Sequence, residues 1–173
     1  MKKFIVCFFI FSCSITFGKT KLPYFWEPRL WEAIAMAESS CGAHNFGDRD
    51  EKGKYQSFGM FQMKYHETAV KKLGFKGKKK DLLNPEISLE YAQKYLAKLL
   101  VENDFDLYRA LDAYNRGEEK AYKWPYRRLV KGKDGKKYRR SWENHWYIKR
   151  ILEALRSKEK CDLDYLFKDS NDS

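Results

Sequence analysis

The chain has 173 residues, 43% of them hydrophobic and 17% aromatic, with a formal net charge of +11. That length leads us to expect one domain, and the lack of repeats and low-complexity linkers excludes a solenoid or a tethered multidomain chain. The basic excess gathers at residues 76–80 and 127–140; it suits an anionic partner, although most of these lysines read as a solvated surface.

The first residues have the pattern of a secretory signal. Lys2 and Lys3 form a basic start, residues 4–17 an apolar stretch too short for a comfortable membrane span, and Gly18 stands at the cleavage side. We therefore expect residues 1–18 to be a signal peptide, a folded domain over 24–157 and a polar, loose tail over 158–173. An uncleaved anchor and lipidation at Cys13 stay open as alternatives. Cys7 and Cys13 would leave with the signal, which leaves Cys41 and Cys161 for an oxidising compartment. A disulfide between them and two buried thiols are both compatible with the sequence.

Helical periodicity dominates the rest. A first helix starts near Pro28, with Leu30, Ala33, Ile34, Ala37 and Glu38 on one stripe. Trp31, Ala35 and Met36 make its other faces apolar, so the helix is expected to be buried. A second is expected around residues 67–73, ended by Gly74. The third has Asn84 as its cap, Pro85 in its first turn, and a core stripe of Leu89, Ala92, Leu96 and Leu99. A fourth takes Asp104 as its cap, with Leu107, Ala110, Leu111 and Tyr114 on one face. The last covers residues 142–155, with Trp146, Ile148, Ile151, Leu152 and Leu155 facing the core. Between the last two, residues 133–136 have hairpin-turn chemistry. The expected fold is mainly α, with a small basic β-hairpin insert.

Glu38 is the residue that stands out. It is a carboxylate on the apolar stripe of a buried helix, which is unusual for a structural Glu, and the run Ser39, Ser40, Cys41, Gly42 then breaks the helix and opens a loop. An isolated Glu here reads as a surface residue at a helix end. Burial, however, can hold a carboxyl protonated near neutral pH, which is what protonating a glycosidic oxygen requires.

The surrounding segments resemble, in order, the motifs of lytic transglycosylases in the soluble transglycosylase and goose-type lysozyme superfamily. Residues 35–39 (Ala-Met-Ala-Glu-Ser) resemble its Glu-Ser motif. Residues 57–62 (Ser-Phe-Gly-Met-Phe-Gln) are similar to its Gly-Leu-Met-Gln segment, and His66-Glu67-Thr68-Ala69 to the Pro-x-Thr-Ala that follows. Asn84-Pro85-Glu86 resembles its Asp/Asn-Pro helix start. Ala113-Tyr114-Asn115-Arg116-Gly117 resembles Ala-Tyr-Asn-Ala-Gly, and residues 143–148 resemble the closing Glu-Thr-x-x-Tyr-Val, keeping Glu143 and Tyr147. The resemblance runs from about residue 28 to residue 155, and its strength lies in five motifs in order rather than in any one.

It implies a lysozyme-like domain whose groove takes glycan strands of alternating N-acetylglucosamine and N-acetylmuramic acid. Glu38 inherits the role of sole catalytic carboxyl. Tyr114 matches the tyrosine that hydrogen-bonds or positions that Glu. Ser57, Gly59, Met60, Gln62, Asn115 and Tyr147 fall at substrate-groove positions; taken alone, Met60 and Tyr114 would read as core and Ser57 as a loop residue. No cofactor or metal is implied. An EF-hand reading of Asp48, Asp50 and Gly53 fails, since Lys52 replaces a ligand and Gly59 stands where the bidentate Glu belongs.

Two departures matter. Phe61 replaces the usual Met before Gln62, and Arg116 adds a charge after Asn115. Asp48, Asp50 and Glu51 lie between Glu38 and Gly59, and one of them acting on water would make a hydrolysing muramidase; as loop acids they would only balance Arg49 and Lys52. Other classes are a non-catalytic wall-binding module, against which the intact Glu38 argues, and a nucleic-acid binder using residues 127–140 with Tyr126 and Tyr138, which the signal opposes. The expectation is a monomeric exported enzyme of the periplasm or envelope, acting on peptidoglycan and not nucleic acid. Its short form is similar to members that serve secretion, conjugation or pilus assemblies, or to phage wall-degrading enzymes.

Overall fold

A computed structural model of the chain describes residues 27–65, 70–117 and 145–167, and the backbone of 129–131 and 137–139. The expected signal, the start of the expected second helix, the hairpin tip and Glu143 lie outside the described residues. Residues 70–73, the described part of that expected helix, form turns rather than helix, and they close at Gly74, which has φ +87.

Helix α1 (Pro28–Ser39) begins with proline in its first turn and is buried on nearly every face, through Leu30, Trp31, Ala33, Ile34, Ala35 and Ala37. It ends where Ser40 and Cys41 take left-handed conformations and the Cys41 N–H returns to the Ala35 carbonyl. Strands β1 (Phe46–Arg49), β2 (Tyr55–Phe58) and β3 (Met63–Lys64) follow as an antiparallel sheet in the order β1-β2-β3. Its register pairs Gly47 with Ser57 and Ser57 with Lys64, so these three residues share a face. The β1–β2 turn is held by Asp50, whose carboxylate accepts from the Lys52 and Lys54 N–H groups and from Gln56 Nε2.

A short 3-10 helix, Lys79–Leu83, leads into α2 (Pro85–Glu102). The Asn84 side chain accepts from the N–H groups of Glu86 and Ile87, as the sequence predicts, and Leu89, Ala92, Leu96 and Leu99 are buried. Helix α3 (Leu107–Arg116) is capped by Asp106 rather than by Asp104. Asp104 and Phe105 both have positive φ and reverse the chain between the helices, which moves the cap two residues on. Strands β4 (Leu129–Lys131) and β5 (Lys137–Arg139) pair antiparallel around the expected hairpin turn. Helix α4 (Trp146–Arg156) packs on α1 and α3. A last turn of helix, α5, spans Asp164–Phe167.

Two ties fix α1 against the C-terminal part of the chain. The Arg29 guanidinium donates from Nη2 to the carbonyls of Ala154, Leu155 and Ser157, satisfying groups the end of α4 leaves open, while its Nη1 pairs with Glu32 at 2.6 Å. Cys41 is joined to Cys161 by a disulfide. Cys161 and Leu163 are buried, so the segment expected to be a loose tail is docked as far as the described residues reach. Trp146, expected in the core, is 53% exposed, and Tyr147 takes its place inside.

Candidate active site: a cleft between the helices and the sheet

A cleft of about 400 Å³ opens beside the end of α1. On one side stand Ala37 and Glu38 from α1, Tyr95 from α2, Tyr114, Asn115 and Gly117 from α3 and its end, and Trp146 and Arg150 from α4. Gly47, Asp48, Ser57, Met63 and Lys64 from the sheet, with Gln62, form the other.

Glu38 occupies the last turn of α1, half-buried, with its carboxyl at the cleft. Burial pushes that carboxyl up to about 7, and the nearby Asp48 charge acts in the same direction. A hydrogen bond from Tyr147 and the charges of Arg150 and Lys64 oppose the rise without cancelling it. The Tyr147 hydroxyl donates to Glu38 Oε1 at 2.5 Å. Burial raises the Tyr114 and Tyr147 hydroxyls well above the ordinary phenol range, so both remain donors at neutral pH. The arrangement is a carboxyl able to give or take a proton near pH 7, held by a neutral donor.

Ser39 fixes the turn behind Glu38. Its hydroxyl donates to the Met60 carbonyl at 2.7 Å and accepts from the Gly42 N–H at 2.8 Å, joining the end of α1 to the loop between β2 and β3. That loop places Gln62. The residue has φ +48, and its amide donates to the carbonyls of His44 and Gly59. Its Oε1 fills the space over Gly47, where a Cβ would come within 1.9 Å of it. Gly47 therefore has to be glycine for Gln62 to sit at the cleft.

Several sequence expectations meet here. Ser57, Gln62, Tyr114 and Asn115 line the cleft with Glu38. The hydrogen bond that the resemblance gives to Tyr114 comes instead, among the described residues, from Tyr147. Tyr114 donates to the Phe61 carbonyl at 2.9 Å, with Met63 Sδ at 3.3 Å, and stands at the cleft wall beside Tyr95. Tyr147 is only 1% exposed and lies beneath Glu38 rather than on the groove surface. Gly59 and Met60 are not among the lining residues. Gly59 has φ +78, and a Cβ on it would lie 1.9 Å from the Leu82 carbonyl oxygen, so its small size serves packing on the 3-10 helix. Met60 packs over Gly42.

The acidic loop divides. Asp50 is committed to its turn, whereas Asp48 lines the cleft, exposed, 2.9 Å from Lys64 and 3.4 Å from the Ser57 hydroxyl. Arg116 forms a two-pronged ion pair with the buried Asp112 in place of adding charge to the cleft. Lys64, Trp146 and Arg150 were missed by the sequence reading. Trp146 and Arg150 lie four residues apart on α4 and so share a face, which is the signal that would have paired them.

A mainly α domain whose cleft sets one proton-holding carboxyl opposite a small antiparallel sheet has a lysozyme-like build. The family model of the transglycosylase SLT domain matches residues 16–138, and the chain belongs to that family. Membership points to a peptidoglycan-degrading enzyme. No curated protein and no solved structure matches the chain.

Proposed function

We propose that the protein is a lytic transglycosylase that cleaves the β-1,4 bond between N-acetylmuramic acid and N-acetylglucosamine and leaves 1,6-anhydro ends. The observation that carries this reading is Glu38, a carboxyl raised to about 7 at the cleft and held by Tyr147. Ordinary glycosidases use two carboxyl groups; a single one suffices when the substrate supplies the rest. Glu38 gives its proton to the leaving oxygen while the muramic N-acetyl oxygen stabilises the positive centre at C1. The same carboxylate then takes the proton of the muramic 6-hydroxyl, whose oxygen bonds to C1. No water is consumed, and Glu38 ends protonated as it began. Ser57, Gln62, Tyr114 and Asn115 contact the sugar at the reacting centre.

The neighbourhood of Asp48 favours one second reading. Its carboxylate shares the cleft and could hold a water for attack on C1, which would make the enzyme a hydrolysing muramidase. Its engagement by Lys64 and its exposure favour the transglycosylase. Digestion of purified sacculi followed by mass spectrometry of the ends decides: anhydromuramic ends support the first reading, reducing ends the second, and no release overturns both.

The same reading takes the N-terminal segment as a signal for export to the periplasm or envelope. It makes peptidoglycan strands the partner of a monomeric enzyme and allows service to a secretion, conjugation or pilus assembly. The Cys41–Cys161 disulfide fits an oxidising compartment. Fractionation of cells carrying the full-length chain tests the placement, since recovery in the cytoplasm with an intact N-terminus would refute it.

A further inference from the structure

Behind the cleft lies a charged cluster that the proposed chemistry does not use. Asp112, in the middle of α3, is 0% exposed. His145, which caps the start of α4, is 1% exposed, and its Nε2 lies 3.0 Å from Asp112 Oδ1. Arg116, one turn further along α3, donates from Nε to the same oxygen at 2.6 Å and from Nη2 to Oδ2. Burial works to raise the Asp112 carboxyl, but the hydrogen bonds from His145 and Arg116 outweigh it and hold the group below its ordinary value. It is therefore ionised at neutral pH, a buried charge with partners on two helices.

The cluster's position gives it a task. Immediately after His145 come Trp146, which lines the cleft, and Tyr147, which holds Glu38. Immediately before and after Arg116 come Asn115 and Gly117, both at the cleft. One buried carboxylate thus ties the cleft-bearing end of α3 to the first turn of α4. The first turn of a helix has four N–H groups without internal partners and is the part most prone to fray. His145 has no side-chain cap bond to that turn, so its anchor to Asp112 fixes where the turn begins.

We infer that Asp112 is a positioning residue for the proposed reaction, acting through His145 to hold the start of α4 so that the Tyr147 hydroxyl stays on Glu38. The inference rests on the functional reading only for the meaning of the word reaction; the mechanical link from Asp112 to Glu38 stands without substrate. Arg116 serves the other arm, neutralising Asp112 from α3, and does not transmit to Tyr147. A buried carboxylate–histidine pair is used because it fixes direction as well as distance: the imidazole can satisfy the carboxylate in only a narrow range of orientations, whereas an apolar contact would let the turn rotate.

The test reads the Glu38 carboxyl itself, by carbon-13 NMR titration of full-length protein, with its resonance identified by loss in Glu38→Gln. Tyr147→Phe removes a hydrogen bond that favours the charged form and should move the titration upward by about half a pH unit or more. Asp112→Asn and His145→Ala should move it in the same direction. Combined with Tyr147→Phe, either should add nothing further, because the bond they sustain is already gone. His145→Gln, which keeps an N–H donor for Asp112, should restore part of the original value, and Arg116→Gln should leave it in place. If Asp112→Asn does not fold, the His145 and Arg116 variants carry the same comparison. An unmoved Glu38 in His145→Ala, additivity with Tyr147→Phe, or an equal shift in Arg116→Gln would each overturn the inference, the last by showing general loosening. Sacculus cleavage, followed in parallel, should fall about tenfold in His145→Ala. A wild-type protein that cleaves nothing would sink the functional reading while leaving the titration result intact.

Discussion

On the helical side of the cleft, Glu38 sits on a helix buried on nearly every face, its carboxyl bonded to a buried tyrosine, with the helix start tied by Arg29 and its end by Ser39 and a disulfide. On the sheet side, Asp48 sits on an edge strand, exposed, with Lys64 and Ser57 at hydrogen-bonding distance. The two are acids of similar intrinsic strength facing one space. Desolvation separates them: Glu38 is raised to about 7, whereas Asp48 keeps its contact with water. Burial, more than residue type, is what fits Glu38 to carry a proton at neutral pH.

Exchanging the acid on the helical side should have the largest effect. Glu38→Gln should cut release of glycan fragments from sacculi by about 10²–10⁴-fold, the ordinary worth of a general acid, with an unchanged circular dichroism spectrum. Activity within tenfold of wild type would mean that the proton comes from elsewhere, and the contrast between the walls would lose its meaning.

Opening the disulfide comes next. Cys41→Ser with Cys161→Ser should cost about 2–5 kcal/mol in urea unfolding. The sheet side has no such tie, so limited proteolysis of the double variant should cut first near residue 161 and the end of α1, not in the β1–β2 turn.

The raised Glu38 carboxyl has a consequence for stability with a definite sign. Its folded value, about 7, lies above the ordinary value of 4.5, so the folded state holds this proton more tightly than the unfolded chain does. The contribution is full below about 4.5, is lost as pH rises towards 7, and is flat beyond. The gap is worth about 3 kcal/mol. Glu38→Gln should remove this slope, so its stability relative to wild type should grow between pH 4.5 and 7.5. The wild-type rate should fall on the alkaline side of about 7 as the acid form is lost. A stability difference that does not depend on pH would show that Glu38 is not desolvated.

Asp48→Asn should have the smallest effect under the transglycosylase reading, less than tenfold on cleavage. Because the Asp48 charge helps to raise Glu38, its removal should shift the alkaline limb slightly downward. Loss of cleavage comparable to that of Glu38→Gln would instead make the sheet side the second half of a two-carboxyl machine.

The sequence made the helical side of this contrast readable and left the sheet side obscure, for physical reasons. The stripes of Leu30, Ile34 and Ala37, and of Leu89, Ala92, Leu96 and Leu99, follow from a period that buried helices impose on sequence. Asn84 before Pro85 is a local signal, and it held. Glu38 was visible because a carboxylate on an apolar stripe breaks that pattern. Strands β1 to β3 have four residues or fewer, too short for alternation to show, and the chain bends at Asp48 and Gln62 through positive φ values that neither residue type advertises. The swap between Tyr114 and Tyr147 lay in tertiary geometry: one is half-buried at the cleft wall and the other buried beneath Glu38, and the packing of α4 on α1 decides which hydroxyl reaches it. Asp112 carries no local signal in the sequence, because its partners lie on another turn and another helix.

The disulfide spans 120 residues, and that number sets an order of events. The end of α1, with Glu38 on it, is synthesised early, yet its covalent tie cannot close until Cys161 has been made and has met an oxidant. A chain halted between residues 150 and 161 would carry every residue lining the cleft and still lack the bond that secures it. The covalently secured cleft is therefore reserved for chains that have extended past residue 161 and met an oxidant.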